Sequence, residues 1–223
     1  MNSTAQAASG RRPAALFGLL GPVLLTIAIF LSPNSPGDNA SGAAVIKFYS
    51  THKAGDHFFD IVFALSIGVM VIFVVWLFTQ LGQARPWLRI TGLVGFAITA
   101  VGLATAIGFD DVLTNNIKNM TPATAQAINV LDNDFFLPVF VGLFLFGIFT
   151  GLAVWRAASM PRGLRWMGIV AIILGVILIF PGINFIGLIG LGLWQAVVGV
   201  WLFFHPPVRA SVTDNTLDEV LAS

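Results

Sequence analysis

The chain has 223 residues, 57% of them hydrophobic and only 9% charged, where a soluble domain carries about 25% charged. So few charges cannot cover a water-facing surface, and most of the chain is expected to face lipid. A net charge of +1 gives no footing for nucleic-acid binding, and the lack of Cys excludes disulfide and thiol chemistry.

Residues 1–13, rich in Ala, Ser and Thr and ending Arg11-Arg12-Pro13, read as a disordered cytoplasmic tail. A first apolar span runs from about Ala14 to Leu31. About 18 residues at about 1.5 Å each reach roughly 27 Å, enough to cross the hydrocarbon. That run exceeds the apolar core of a signal peptide, about 7–15 residues, so it reads as an uncleaved anchor. SPNSPGDN is turn chemistry, since Pro and Gly block regular structure. Ser41 then caps a short outer helix from Gly42 to about Lys53, with Val45, Phe48, Tyr49 and His52 on one face. Tyr49, the only Tyr, suits a headgroup-level interface. Lys53-Ala54-Gly55 is expected to break this helix, with Gly55 as its C-cap.

Span 2 covers about Phe58 to Leu81, and Arg85-Pro86 opens span 3, about Ile90 to Phe109. In the next connection Thr121 caps, and Pro122 starts, a second outer helix to about Leu131. Span 4 is Phe135 to Trp155, span 5 about Trp166 to Phe180 and span 6 about Phe185 to Phe204, the last two joined by Pro181-Gly182-Ile183-Asn184. Residues 206–223 form a polar cytoplasmic tail. The fold expected is therefore all-α: a six-span transmembrane domain over 14–205, built as three helical hairpins, with two short outer amphipathic helices.

Charge orients it. Arg11, Arg12, Arg85, Arg89, Arg156, Arg162, Arg165 and Arg209 fall on one side, and Lys47, Lys53 and Lys118 on the other. The arginine side is cytoplasmic by the positive-inside rule, which puts both termini inside a bacterial plasma membrane. The plan also repeats. Arg12-Pro13, Arg85-Pro86 and Pro161-Arg162 each open a span, and Asp56-His57-Phe58-Phe59 echoes Asp132-Asn133-Asp134-Phe135-Phe136. Successive two-span units would point the same way, a parallel repeat.

Candidate chemistry concentrates at the outer mouth. His52, Asp56 and Asp60 at i, i+4 and i+8 would share a face of a continuous helix, with His57 close to Asp60. Imidazole and carboxylate together suit Zn²⁺, which makes His52, Asp56, His57 and Asp60 the metal-ligand candidates. The competing reading has Asp56 and Asp134 capping the N-termini of spans 2 and 4, where the helix dipole favours anions. No HExxH, GxSxG or Walker pattern is present, so no cofactor is expected and an enzyme is the less favoured class. Inside the spans, Ala100, Ala104 and Gly108, then Gly147 and Gly151, form small-residue ridges for close helix contact.

Leu131-Asp132-Asn133-Asp134-Phe135-Phe136, Met160-Pro161-Arg162-Gly163-Leu164-Arg165-Trp166 and Phe48-Tyr49-Ser50-Thr51-His52-Lys53 resemble a group of small six-helix actinobacterial membrane proteins that has no assigned function. The resemblance implies the same multi-spanning topology and transfers no site residue. The function expected is non-enzymatic: binding or scaffolding a membrane lipid, another membrane protein or a second copy. The alternatives are a facilitator for a small uncharged solute, lined by Thr26, Ser66, Thr99, Thr105, Thr150 and Gln195, and a metal-dependent enzyme at the outer face.

Overall fold

A computed structural model describes residues 11–31, 35–81, 84–134, 136–158 and 160–205. Every regular element among them is helical: α1 (Arg11–Leu31), α2 (Gly42–Gln80), α3 (Pro86–Asn116), α4 (Pro122–Asp134), α5 (Phe136–Arg156), α6 (Arg162–Ile177) and α7 (Asn184–Phe204), with a 3₁₀ turn over Ile117–Asn119. Five stretches are long and apolar enough to cross a membrane: Pro13–Phe30, Gly55–Gln80, Pro86–Asn119, Pro122–Arg156 and Asn184–Phe204. The remaining apolar helix, α6, has 16 residues. The parts of the terminal segments at 1–10 and 206–223 lie outside the described residues.

The starts follow local chemistry. The Ser41 hydroxyl accepts from the Ala44 amide at 3.3 Å, the Thr121 hydroxyl accepts from the Thr124 amide at 3.2 Å, and Pro86 sits in the first turn of α3. Each supplies or removes the need for a partner to an orphan N–H. Gly182, at φ 87°, makes the turn between α6 and α7, a backbone region that costs a glycine little.

Two expected boundaries are corrected. The first outer helix is not separate: α2 runs unbroken for 39 residues from Gly42 to Gln80. Gly55 does not take the left-handed conformation of a C-cap, since Gly182 is the only glycine with positive φ among the described residues. One Gly inside a helix costs only about 1 kcal/mol, and the packing of both flanking halves outweighs it. Likewise α3 continues past Phe109 to Asn116, so Asp110 and Asp111 stand on a helix rather than in a loop.

The six helices other than α4 close a ring in chain order. α1 packs on α2, α2 on α3, α3 on α5, α5 on α6, α6 on α7, and α7 returns to α1. Small residues bring the axes together, as expected where lipid offers no hydrophobic drive between helices. A methyl on Gly142 of α5 would lie 2.6 Å from the Gly95 carbonyl oxygen of α3. Gly151 and Gly147 of α5 meet Gly168 and Gly175 of α6, and Gly18 of α1 meets Gly199 of α7. On α3 the ridge is not Ala100-Ala104-Gly108: Gly108 faces open space, and Gly92, Gly95, Thr99 and Gly102 make the contact with α5. The core between the helices is apolar, with Phe73, Leu77, Phe146, Leu164, Trp194 and Leu202 fully enclosed.

At one end α4 lies across α2 and α3. Val45, Tyr49, Leu113, Ile117 and Ala125 form a second apolar cluster there. Burying each large side chain contributes about 1.5–3 kcal/mol, which fixes the N-terminal turns of α2 against the C-terminal turns of α3. The face of Val45 and Tyr49 thus packs inside this cap. A Cβ on Gly42 would collide with the Pro122 carbonyl, so the two helix starts touch.

Candidate functional site

The cap roofs a cavity of about 170 Å³. Its apolar walls are Phe48, Phe59 and Phe63 of α2, Ala106 and Ile107 of α3, and Phe136 of α5. Its polar groups are Asp56, Asp110, Asp132, Asn133 and Ser35. Continuity of α2 creates this arrangement: Asp56 stands fourteen residues beyond Gly42, in a helix interior, and is buried. It caps nothing, which corrects the capping reading for that residue. Asp134 is the exposed last residue of α4.

Hydrogen bonds fix the roof. Asn129 Nδ2 donates to the Gly37 carbonyl at 3.3 Å, and Asn133 Nδ2 donates to the carbonyls of Pro36 at 3.2 Å and Asn129 at 2.9 Å. The bonds to Gly37 and Pro36 tie α4 to the segment before α2. The Tyr49 hydroxyl donates to Asp110 Oδ1 at 2.7 Å, a short charge-assisted bond that holds the carboxylate toward the cavity. Burial first, then the charge and hydrogen bond of Asp110, push the Tyr49 hydroxyl far above the usual phenol range, so it remains a donor.

Two carboxylates here are enclosed without full partners. Asp56 is 3% exposed and its Oδ2 has no hydrogen-bond partner among the described residues. Asp60 is 6% exposed; no N–H group among the described residues donates to its oxygens, and its carboxyl lies in hydrogen-bonding contact with that of Asp110. Buried polar groups are nearly always paired; here Asp56 Oδ2 has no donor, and Asp60 and Asp110 set two acids against each other in an enclosed place.

The four metal-ligand candidates separate. The exposed His52 stacks on Phe48 with ring centroids 4.5 Å apart, and its Nδ1 lies 3.0 Å from the Phe48 carbonyl. Asp56 points into the cavity wall. His57 and Asp60 converge instead with Asp111 of α3, one ligand atom from each lying within 4.8 Å of the others. Asp110 and Asp111 belong here because α3 extends to Asn116, which the position of Phe109 in the sequence does not reveal.

Four of the five hydroxyls considered as a solute path are occupied by backbone. Thr26 donates to Pro22 O, Thr99 to Gly95 O and Thr105 to Val101 O, each one turn back, and Ser66 donates to Gly21 O across the α1–α2 seam at 2.8 Å. Thr150 and Gln195 are buried in the bundle core with Thr150 Oγ1 and Gln195 Nε2 unpartnered among the described residues.

No family model, curated protein or solved structure matches this chain.

Proposed function

We propose that this is a six-span plasma-membrane protein, both termini cytoplasmic, that binds rather than transforms its ligand. The cavity under α4 opens outward and takes an ammonium group carried on a small apolar stem. The orientation rests on charge: the Arg-bearing turns at Arg85–Arg89 and Arg156–Arg165 lie at the ends of α2, α3, α5 and α6 away from α4, and the positive-inside rule makes that side cytoplasmic. The observation that carries the ligand class is the lining: Asp56 Oδ2 left open beside Asp110 and Asp132, over a floor of Phe48, Phe59, Phe63 and Phe136. Carboxylates accept the ammonium hydrogens, and phenyl faces attract the same cation. The volume is close to the roughly 150 Å³ of a cavity that takes benzene, so it admits a headgroup or a short alkylammonium and no whole lipid chain.

An aminophospholipid headgroup and a free amine share this chemistry, and one experiment separates them. The detergent-purified protein is titrated with n-butylammonium against n-butanol, and native mass spectrometry compares nanodiscs of phosphatidylethanolamine and phosphatidylglycerol. Butylammonium binding without butanol binding points to a free amine; selective retention of phosphatidylethanolamine alone points to the headgroup. Asp56→Asn lowers whichever affinity is found by about ten- to a hundredfold, the worth of one hydrogen bond to a charged group at about 1.5–3 kcal/mol. Equal retention of both lipids together with equal binding of amine and alcohol overturns the proposal.

A further inference from the structure

A second constellation stands beside that chamber and shares none of its lining residues. His57 and Asp60 sit three residues apart on α2, the spacing that puts two side chains on one helix face. Asp111 approaches them from α3, and one ligand atom of each lies within 4.8 Å of the others. Asp60 is more than nine-tenths buried, no N–H group among the described residues donates to it, and the group it meets is a second acid, Asp110, so an enclosed carboxyl is held beside another with no positive charge from the protein. Asp111 has its outer partner: Asn115 Nδ2 donates to Asp111 Oδ1 at 2.6 Å, the kind of second contact that fixes a ligating carboxylate while its other oxygen stays available.

We infer that His57, Asp60 and Asp111 form a binding site for a divalent transition ion of the zinc class, clamping α2 to α3. The ligand set decides the ion class. Ca²⁺ requires six to eight oxygens and Mg²⁺ a near-octahedral oxygen shell, whereas one imidazole nitrogen with two carboxylates is a set that Zn²⁺ accepts, with water in the fourth position. Ligand atoms around a tetrahedral ion stand about 3.3 Å apart, given metal–ligand distances near 2.0–2.2 Å. The observed separation needs only side-chain closure, and His57, exposed at the rim, supplies both the freedom and the entry path. Neither His52 nor Asp56 belongs to this set, so the site differs in membership from one read off α2 alone.

Equilibrium dialysis of the detergent-purified full chain against Zn²⁺, with Co²⁺ as a spectroscopic substitute, tests it. One ion binds per chain, Co²⁺ gives the intense visible absorption of a low-coordinate site, and Zn²⁺ raises the melting temperature. His57→Gln and Asp111→Asn each weaken Zn²⁺ binding at least tenfold and bleach the Co²⁺ spectrum, while His52→Gln leaves both unchanged. His57 is exposed, so its variant reports on binding even where the Asp111 variant folds poorly. Binding that survives His57→Gln, that falls equally with His52→Gln, or that is absent from the parent protein overturns the site. The chamber is scored separately by butylammonium binding, so either reading fails without the other.

Discussion

Tyr49 is the residue on which the cap and the cavity meet. It is 1% exposed, and its hydroxyl reaches Asp110 across 61 positions of sequence. Tyr49→Phe removes that donor and leaves a carboxylate short of a partner, at a cost of about 1–3 kcal/mol, which chemical denaturation reads as a lowered midpoint. As the single Tyr in the chain, it also titrates alone. At about pH 10 a free tyrosine is half-ionised, and the folded protein should show no phenolate absorbance there. Because the folded value is raised above the unfolded one, the stability Tyr49 contributes is whole below about pH 10 and declines above it, where the unfolded chain releases its proton first. Phenolate appearing near pH 10 without unfolding would contradict the enclosed hydroxyl. Asp60 gives the opposite expectation. A buried carboxyl set against a second one, Asp110, is a stability cost, so Asp60→Leu raises the melting temperature of metal-free protein. A fall would mean that Asp60 has a structural partner.

Among the elements, α2 departs most from its sequence. The turn at Asp38-Asn39, the Ser41 cap and the Thr121-Pro122 start were legible because each is a local rule written in two or three residues. The fate of Gly55 was not, because helix continuity there is decided by packing on α3 and α4, which no window of sequence contains. Gly55→Ala separates the two cases. In a helix interior with open space around the added methyl, alanine stabilises by about 0.4–1 kcal/mol; at a left-handed C-cap it would destabilise. The ridges follow the same logic. Gly147 and Gly151 met a partner helix as their spacing implied, while the α3 contact moved from Gly108 to Gly95 and Thr99, since small residues on two faces look alike until the neighbour is known. Gly142→Ala therefore costs about 1–3 kcal/mol by overpacking, and Gly108→Ala, in open space, leaves the melting temperature within experimental scatter.

For the whole molecule, composition already required lipid as the main solvent, and the ring of apolar helices agrees with it. The candidate sites were legible in part. His57 near Asp60 followed from helical spacing, but Asp111 joins them only through α3, and Asp110 and Asp132 reach the chamber only through α3 and α4. The proposed chamber opens on the outside of the membrane and takes a cation there. Ser35 is exposed at its lining, and the chain has no cysteine of its own, so Ser35→Cys gives one thiol to follow. A membrane-impermeant maleimide added to intact cells should label it, and butylammonium should slow the labelling unless Asp56→Asn is also present. Labelling that occurs only after the cells are opened, or that proceeds at one rate with and without butylammonium, contradicts the claim.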